Sequence, residues 1–152
     1  MKRINHVLAV LIGCLLLVGL MGCEYTYPYE EEPNNSPSEA TFMSNNITKG
    51  QIHIASDMDY WEINLPPISS WAKVMLHHLT ADLKIMVLCF DGSGNQIVLS
   101  GSDIAYLNSD EEGTNDEEIV ISKNQTRRIL VCVEASERSG SVGSYWLEYS
   151  FR

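Results

Sequence analysis

An antiparallel β-sandwich of about eight or nine strands, jelly-roll-like in plan, is predicted by three properties of the chain beyond residue 49. Its apolar runs are 4–9 residues long and rich in Val, Ile, Tyr and Trp. Gly, Asn, Asp and Ser punctuate them at short, regular intervals. Within them apolar and polar side chains alternate, and no stretch carries a helical period. GQIHI (Gly50–Ile54) opens the set, and the polar ASDM separates it from DYWEINL (Asp59–Leu65). There Tyr60, Glu62 and Asn64 interleave with Trp61, Ile63 and Leu65, so one face is apolar and the other polar. WAKVMLHHL (Trp71–Leu79) follows the turn PPISS, and DLKIMVLCF (Asp82–Phe90) leads through the hairpin connection DGSGN into QIVLS (Gln96–Ser100). IVIS (Ile119–Ser122), RRILVCVEA (Arg127–Ala135) and GSYWLEYSF (Gly143–Phe151) complete the series. In the last, Trp146 and Glu148 interleave with Tyr145, Leu147 and Tyr149.

Residues 1–22 follow a different plan. Lys2 and Arg3 precede an apolar run from Val7 to Met21 that ends in Gly22, the order of a secretory signal segment. A run of about 15 apolar residues is short for a membrane-spanning helix, which needs roughly 20. The closing LMGC, Leu20–Cys23, resembles the lipobox of bacterial lipoproteins, which implies lipidation of the Cys23 thiol and cleavage before it. LIGC, ending at Cys14, leaves too short an apolar run and would strand LLLVGLMG in the mature chain. An ordinary signal peptide or an uncleaved anchor is the alternative. The resulting organisation is a lipoprotein signal peptide (1–22), a lipidated cysteine with a short tether (23–29) and one domain (30–152). Seven tether residues reach at most ~25 Å, which keeps the domain near the bilayer.

The leader takes two of the ten basic residues and none of the twenty acidic ones, leaving eight against twenty, a net charge of −12 with His neutral. Such a balance excludes nucleic acid as the expected partner, since phosphate backbones reward clustered Lys and Arg. It suits divalent cations, although most acidic surfaces are simply solvated. Catalytic signatures are absent: no Gly-x-Ser-x-Gly elbow, His-Glu-x-x-His helix or phosphate loop occurs, so no enzyme activity is expected. His53, His77 and His78 have no Cys or carboxylate at metal-ligand spacing in sequence, and His77 and His78, consecutive on a strand, are expected to face opposite ways.

Two motifs stand in a telling order. Glu32-Pro33-Asn34-Asn35 is followed by a strand led by Gly50, and then by Asp57-Met58-Asp59-Tyr60-Trp61. With the later ADLKIMVLCFDGSGN, RRILVCVEA and GSYWLEYSF, this order resembles the bacterial pre-peptidase C-terminal domain, a β-sandwich often appended to secreted proteases and related to the collagen-binding modules of collagenases. The resemblance runs from about Glu30 to the C-terminus. It implies a calcium site formed by the N-terminal acidic segment and the Asp-x-Asp turn: Glu30, Glu32, Asn34 and Asn35 on the segment, Asp59 in the turn. Ser56 stands where the collagenase pattern has an acidic residue, and Asp57 can substitute from the next position. Asn35 stands where a carboxylate often stands.

The chemistry agrees with that set. Calcium takes six to eight oxygens, and alternate residues of an extended segment point the same way, so Glu30, Glu32 and Asn34 can converge. Pro33 favours extended geometry at Glu32. The alternative is a solvated tether at EEE and a plain polar turn at Asp57 and Asp59. The loop NSDEEGTNDEE is read as solvated, and DGSGN as a turn.

The register that the resemblance implies puts Cys89 inward with Val87 and Cys132 outward, too far apart for a disulfide; a strand bulge would change that register. Trp61, Trp71, Trp146, Tyr60 and Tyr145 are read as core or edge packing, with a ligand platform as the alternative. The functional expectation is a membrane-anchored, extracytoplasmic, non-catalytic binding or adaptor module, calcium-stabilised, with a protein or polysaccharide ligand. The alternative is a structural envelope lipoprotein that modulates a partner enzyme such as a secreted protease. In a Gram-negative cell Glu24 lacks the aspartate associated with inner-membrane retention, which points to the outer membrane; otherwise the exterior of the cell membrane is expected.

Overall fold

A computed structural model describes residues 28–67, 69, 71–97, 107–121, 125–136 and 142–152. The signal segment, Cys23 and the tether through Tyr27 lie outside the described residues, as does most of the expected strand Gln96–Ser100.

Nine strands are present among the described residues: β1 (Thr41–Phe42), β2 (Ile47–Ile52), β3 (Met58–Asn64), β4 (Ala72–His77), β5 (Leu83–Phe90), β6 (Leu107–Ser109), β7 (Glu117–Ile121), β8 (Arg128–Ala135) and β9 (Gly143–Phe151). They form a five-stranded sheet in the order β1-β3-β8-β5-β6 and a four-stranded sheet in the order β2-β9-β4-β7. All pairings are antiparallel except β1 with β3, which is parallel. The expected strands from Asp59, Trp71, Asp82, Ile119, Arg127 and Gly143 correspond to β3, β4, β5, β7, β8 and β9. The first expected strand begins earlier, at Ile47. β1 and β6 are too short to carry an alternating pattern, and sequence periodicity has nothing to detect there.

The core lies between the sheets. Alternate residues of β4, β5 and β7 enter it: Ala72, Val74 and Leu76; Leu83, Ile85, Val87 and Cys89; Ile119 and Ile121. Trp61 and Ile63 come from β3, and Tyr145 and Leu147 from β9. β8 reads as a nearly continuous apolar run, RILVCVEA, and is buried on both faces. Its outer residues Leu130 and Cys132 join Tyr60 in a second apolar cluster with Met58, Met86, Leu88 and Phe90. The outer face of this sheet is therefore apolar at its centre, not polar as alternation in β3 alone predicts. Cys89 and Cys132 are buried on opposite faces of one sheet and are not joined by a disulfide.

Candidate metal centre

Residues Pro28–Asn35 cross the open edge of the sandwich. The segment first lies along edge strand β2: Lys49 N donates to Pro28 O (3.1 Å), Glu30 N donates to Lys49 O (3.0 Å), and Tyr29 bridges Lys49 in parallel. Among the described residues backbone pairing is present from Pro28, two residues ahead of Glu30, where the resemblance begins. The chain then reaches the other sheet, where Tyr60 N donates to Asn34 O (2.9 Å) and Met58 N to Asn35 Oδ1 (3.3 Å). The Glu32–Pro33 peptide is cis. This clasp covers a strand edge that would otherwise be open to pairing.

The loop between β2 and β3 supplies the other side. Asp57 Oδ2 accepts from His53 N (2.7 Å), and Asp57 N donates to Ile54 O (2.9 Å). Asp59 then falls on the inward face of β3, in step with Trp61 and Ile63, so a carboxylate enters the rim of the core. Asp59 and Asn34 are wholly buried, and Asp57 is 6% exposed. Ligand atoms of Glu32, Asp57 and Asp59 lie within 4.8 Å of one another, and so do those of Glu30, Glu32 and His53. One ion with bonds of about 2.4 Å can reach across such a spread.

Tyr145 backs this group from the four-stranded sheet. Its hydroxyl donates to Asp59 Oδ2 (2.5 Å), lies 3.4 Å from Glu30 Oε2 and accepts from Trp61 Nε1 (2.9 Å). The ring is fully buried because Gly50 stands directly opposite it in the β2–β9 register. A Cβ at Gly50 would overlap the Tyr145 ring and hydroxyl and the Glu30 carboxylate. This is why a glycine leads the strand.

Oxygens outnumber donors here. Asp59 is pushed up to about 9, first by burial and then by its neighbour Glu30; Glu30 is raised, chiefly by burial. Burial also raises the Tyr145 hydroxyl well above its ordinary value. Without a cation, Asp59 holds a proton that its burial makes hard to release. The Asn34 side chain points into the same cluster. With its nitrogen turned in, it donates to Glu32 Oε2 (3.1 Å) and Asp59 Oδ1 (3.3 Å). With its oxygen turned in, it adds a neutral ligand to a hard cation.

Of the six candidates, Glu30, Glu32, Asn34, Asp57 and Asp59 converge. Asn35 is exposed and spends its side-chain oxygen on Met58 N. His53, which sequence spacing left without a carboxylate partner, places Nδ1 3.8 Å from Glu32 Oε1 and 3.6 Å from Asp57 Oδ2. Only the fold brings Glu32 to it across twenty-one positions. Tyr145, read from sequence as core or edge packing or as part of a ligand platform, carries no sequence signal of its contact with Asp59.

The aromatic residues do not form one platform. Trp61, Tyr145 and Tyr60 are buried. Trp146 lies on the outer face of β9 under Lys49 Nζ, 4.4 Å from its ring centroid. His77 and His78 both pack near Trp146, at 6.0 and 5.0 Å, because His78 leaves the strand at φ 52° and breaks the alternation.

No protein family matches the chain by sequence, and no curated protein matches it. Solved structures do. The pre-peptidase C-terminal domain of a collagenase from Bacillus anthracis superposes with a TM-score of 0.52 at 15% identity, covering 77% of this chain and 100% of that domain. A periplasmic inhibitor of g-type lysozyme from Aeromonas hydrophila gives 0.45 at 11% identity, over 70% of this chain and 84% of its own. The Yersinia pseudotuberculosis-derived mitogen gives 0.43 at 12%, with the same coverages. At these identities the likeness is one of fold, and the fold of this chain is the β-sandwich of the pre-peptidase C-terminal domain.

Proposed function

We propose that the chain is a non-catalytic binding module whose N-terminal clasp is locked by a calcium ion and which is held at the cell envelope through lipid on Cys23. The observation that carries the calcium reading is the convergence of Glu32, Asp57 and Asp59, with the buried Asn34 amide directed among them. Three carboxylates and a neutral oxygen, completed by water, form a hard-cation site. An ion there ties the clasp to β3 and removes the need to protonate Asp59.

Ligand binding is assigned to the recess beside the clasp. It has a volume of about 480 Å³, with Trp61 and Met43 among its lining and the exposed rings of Tyr29 and Phe42. Its size lies in the range of small-ligand sites, and its aromatic and carboxylate lining suits a sugar unit or a side chain of a protein partner. Because Glu32 lines both the recess and the ion site, the cation shapes the recess wall.

The test is a thermal melt of the chain from Glu24 onward, with calcium and with chelator. At 10 mM calcium and an affinity of 10⁻⁴–10⁻³ M, typical of extracellular modules, linkage contributes about 1.4–2.7 kcal/mol. Asp59→Ala removes the shift. An unchanged wild-type melt in chelator removes the calcium reading. For the anchor, Cys23→Ser is expected to release the full chain from membrane fractions; retention with continued lipid labelling would move the modification to Cys14.

A further inference from the structure

The recess beside the clasp is acidic and aromatic at once. Glu31, Glu32 and Glu39 line it, and no described Lys, Arg or His side chain does. Two rings stand exposed at it, Tyr29 on the clasp (61%) and Phe42 on β1 (54%). On the reading that this recess binds the ligand, we propose that its occupant is a lysine or arginine side chain, presented by an extended segment of a partner protein that lies along β1.

Three observations carry the assignment. The first is charge. With Glu32 turned to the ion site, Glu31 and Glu39 remain, both exposed and neither ion-paired among the described residues. Glu39 accepts only from a neutral donor there, the Ser36 hydroxyl at 2.7 Å. Lys49, next in sequence to the lining residue Thr48, carries its Nζ over the Trp146 ring instead. The second is the pair of rings. A basic side chain has an apolar stem and a cationic head, and aromatic faces attract both. A neutral sugar would stack on the rings but leave the carboxylates unmatched, and an acidic ligand would be repelled. The third is the edge. β1 is the terminal strand of its sheet, paired with β3 alone, and Thr41, Phe42 and Met43 line the recess. An extended peptide can add its main chain to such an edge and send one side chain into the space beside it.

The experiment follows the full chain, in nonionic detergent with calcium present, by NMR of the Tyr29 and Phe42 rings and the Thr41 and Phe42 amides. The probes are blocked glycine peptides that differ only at a central Lys, Arg, Gln or Glu. The Lys and Arg peptides are expected to shift rings and amides together and to bind at least about fivefold more tightly than the Gln peptide. The Glu peptide is expected to leave both unchanged. Raising the salt from about 0.05 to 0.5 M should narrow the preference for Lys and Arg, since the carboxylates are exposed. Phe42→Ala and Glu31→Gln should each weaken the Lys peptide by about two- to fivefold, and the Glu31→Gln, Glu39→Gln double variant by about tenfold. Glu118→Gln, on β7 away from the recess, removes the same charge and should leave the affinity unchanged.

A Gln peptide that binds as tightly as the Lys peptide would overturn the proposal, and so would an equal loss in Glu118→Gln and Glu31→Gln. Glucosamine that shifts the rings where the peptides do not would place an amino sugar in the recess and overturn it equally. In those three cases the recess still binds a ligand, and only the assignment of a basic peptide fails. Ring shifts that arise only when phosphatidylcholine nanodiscs replace the detergent would place the two rings at a lipid surface. That result, or rings silent toward every probe, would overturn the proposal and the recess assignment together.

Discussion

Asp59 and Glu117 are both wholly buried carboxylates, and each belongs to an acid-rich part of the chain, yet they are satisfied in opposite ways. Glu117 is held by donors from its own neighbourhood: Ser109 Oγ at 2.6 Å and Glu111 N at 2.8 Å. The residues between β6 and β7 wrap around it, and the loop closes on itself without help from any distant segment. Asp59 accepts from the Tyr145 hydroxyl and, with the Asn34 nitrogen turned in, from that amide; otherwise it faces Glu30, Glu32 and Asp57, which arrive from two separated stretches of chain. Acidic density in sequence therefore does not by itself mark a cation site. The loop NSDEEGTNDEE is the denser of the two, and it supplies its own hydrogen-bond donors. The clasp gathers more carboxylate oxygens than its donors, the Tyr145 hydroxyl and the backbone N–H groups of Asn34, Gln51 and His53, can satisfy, and a proton or a metal ion relieves the excess.

The largest effect is expected where the clasp depends on a missing side chain. Gly50→Ala drives a methyl group into the Tyr145 ring and hydroxyl, and neither can retreat, since the ring is fully buried. A loss of about 3 kcal/mol is expected in urea unfolding. In the comparison loop, Gly113 has φ 84° and open space around it, so Gly113→Ala strains only the backbone and is expected to cost about 1 kcal/mol. Equal costs at the two positions would mean that Tyr145 does not anchor the clasp.

Charge removal separates the regions next. Asp59→Asn should abolish the calcium-induced stabilisation of about 1.4–2.7 kcal/mol, whereas Glu117→Gln should leave it intact. Glutamine can still accept from Glu111 N and donate to Ser109 Oγ, so the variant keeps both contacts. In chelator, both acids act in one direction with pH. Each folded-state value lies above its ordinary one, through burial first, so each contribution is full below the ordinary value and is lost as pH rises through the folded one. For Asp59 the window runs from 3.8 to about 9, and for Glu117 it opens at 4.5. Metal-free stability should therefore fall as pH rises, and Asp59→Asn should flatten that fall more than Glu117→Gln. Adding calcium should also flatten it, because the ion replaces the Asp59 proton. A pH profile identical in both variants would erase the distinction drawn between the regions.

How much of this was legible follows from the range of each interaction. The alternation that places Val74, Ile85 and Leu147 inward is local, and so six strands and the fold class can be read directly. The candidate ligands Glu30, Glu32, Asn34, Asp57 and Asp59 are proposed from ordered short motifs, which carry residue identity but not distance. What sequence could not carry was set by one-residue events and by long-range register. His78 enters the left-handed region and turns its ring to the same side as His77. Tyr145 meets Asp59 eighty-six positions away because β9 and β3 lie in facing sheets. His53 gains Glu32 only through the clasp. β8 shows the converse: its apolar run is buried on both faces, which the alternation of its partner β3, read as giving a polar outer face, does not reveal.

The smallest effect tests the surface beside Glu117. Glu118 points outward from β7 and pairs with Lys73 Nζ at 3.2 Å, with its side chain 49% exposed. An exposed pair of this kind contributes about 0–0.5 kcal/mol, because water already solvates both charges and salt screens what remains. Glu118→Ala is therefore expected to shift the melt by no more than about 2 °C and to leave the calcium response unchanged. Its neighbour in sequence is the buried Glu117, so the pair separates position from environment: the same residue type, one place apart, changes from a carboxylate enclosed by hydrogen bonds to a solvated charge. A calcium response altered by Glu118→Ala would show that long-range surface charge, and not convergence of ligands at the clasp, sets the affinity for cations. The comparison between the two acidic regions would then lose its basis.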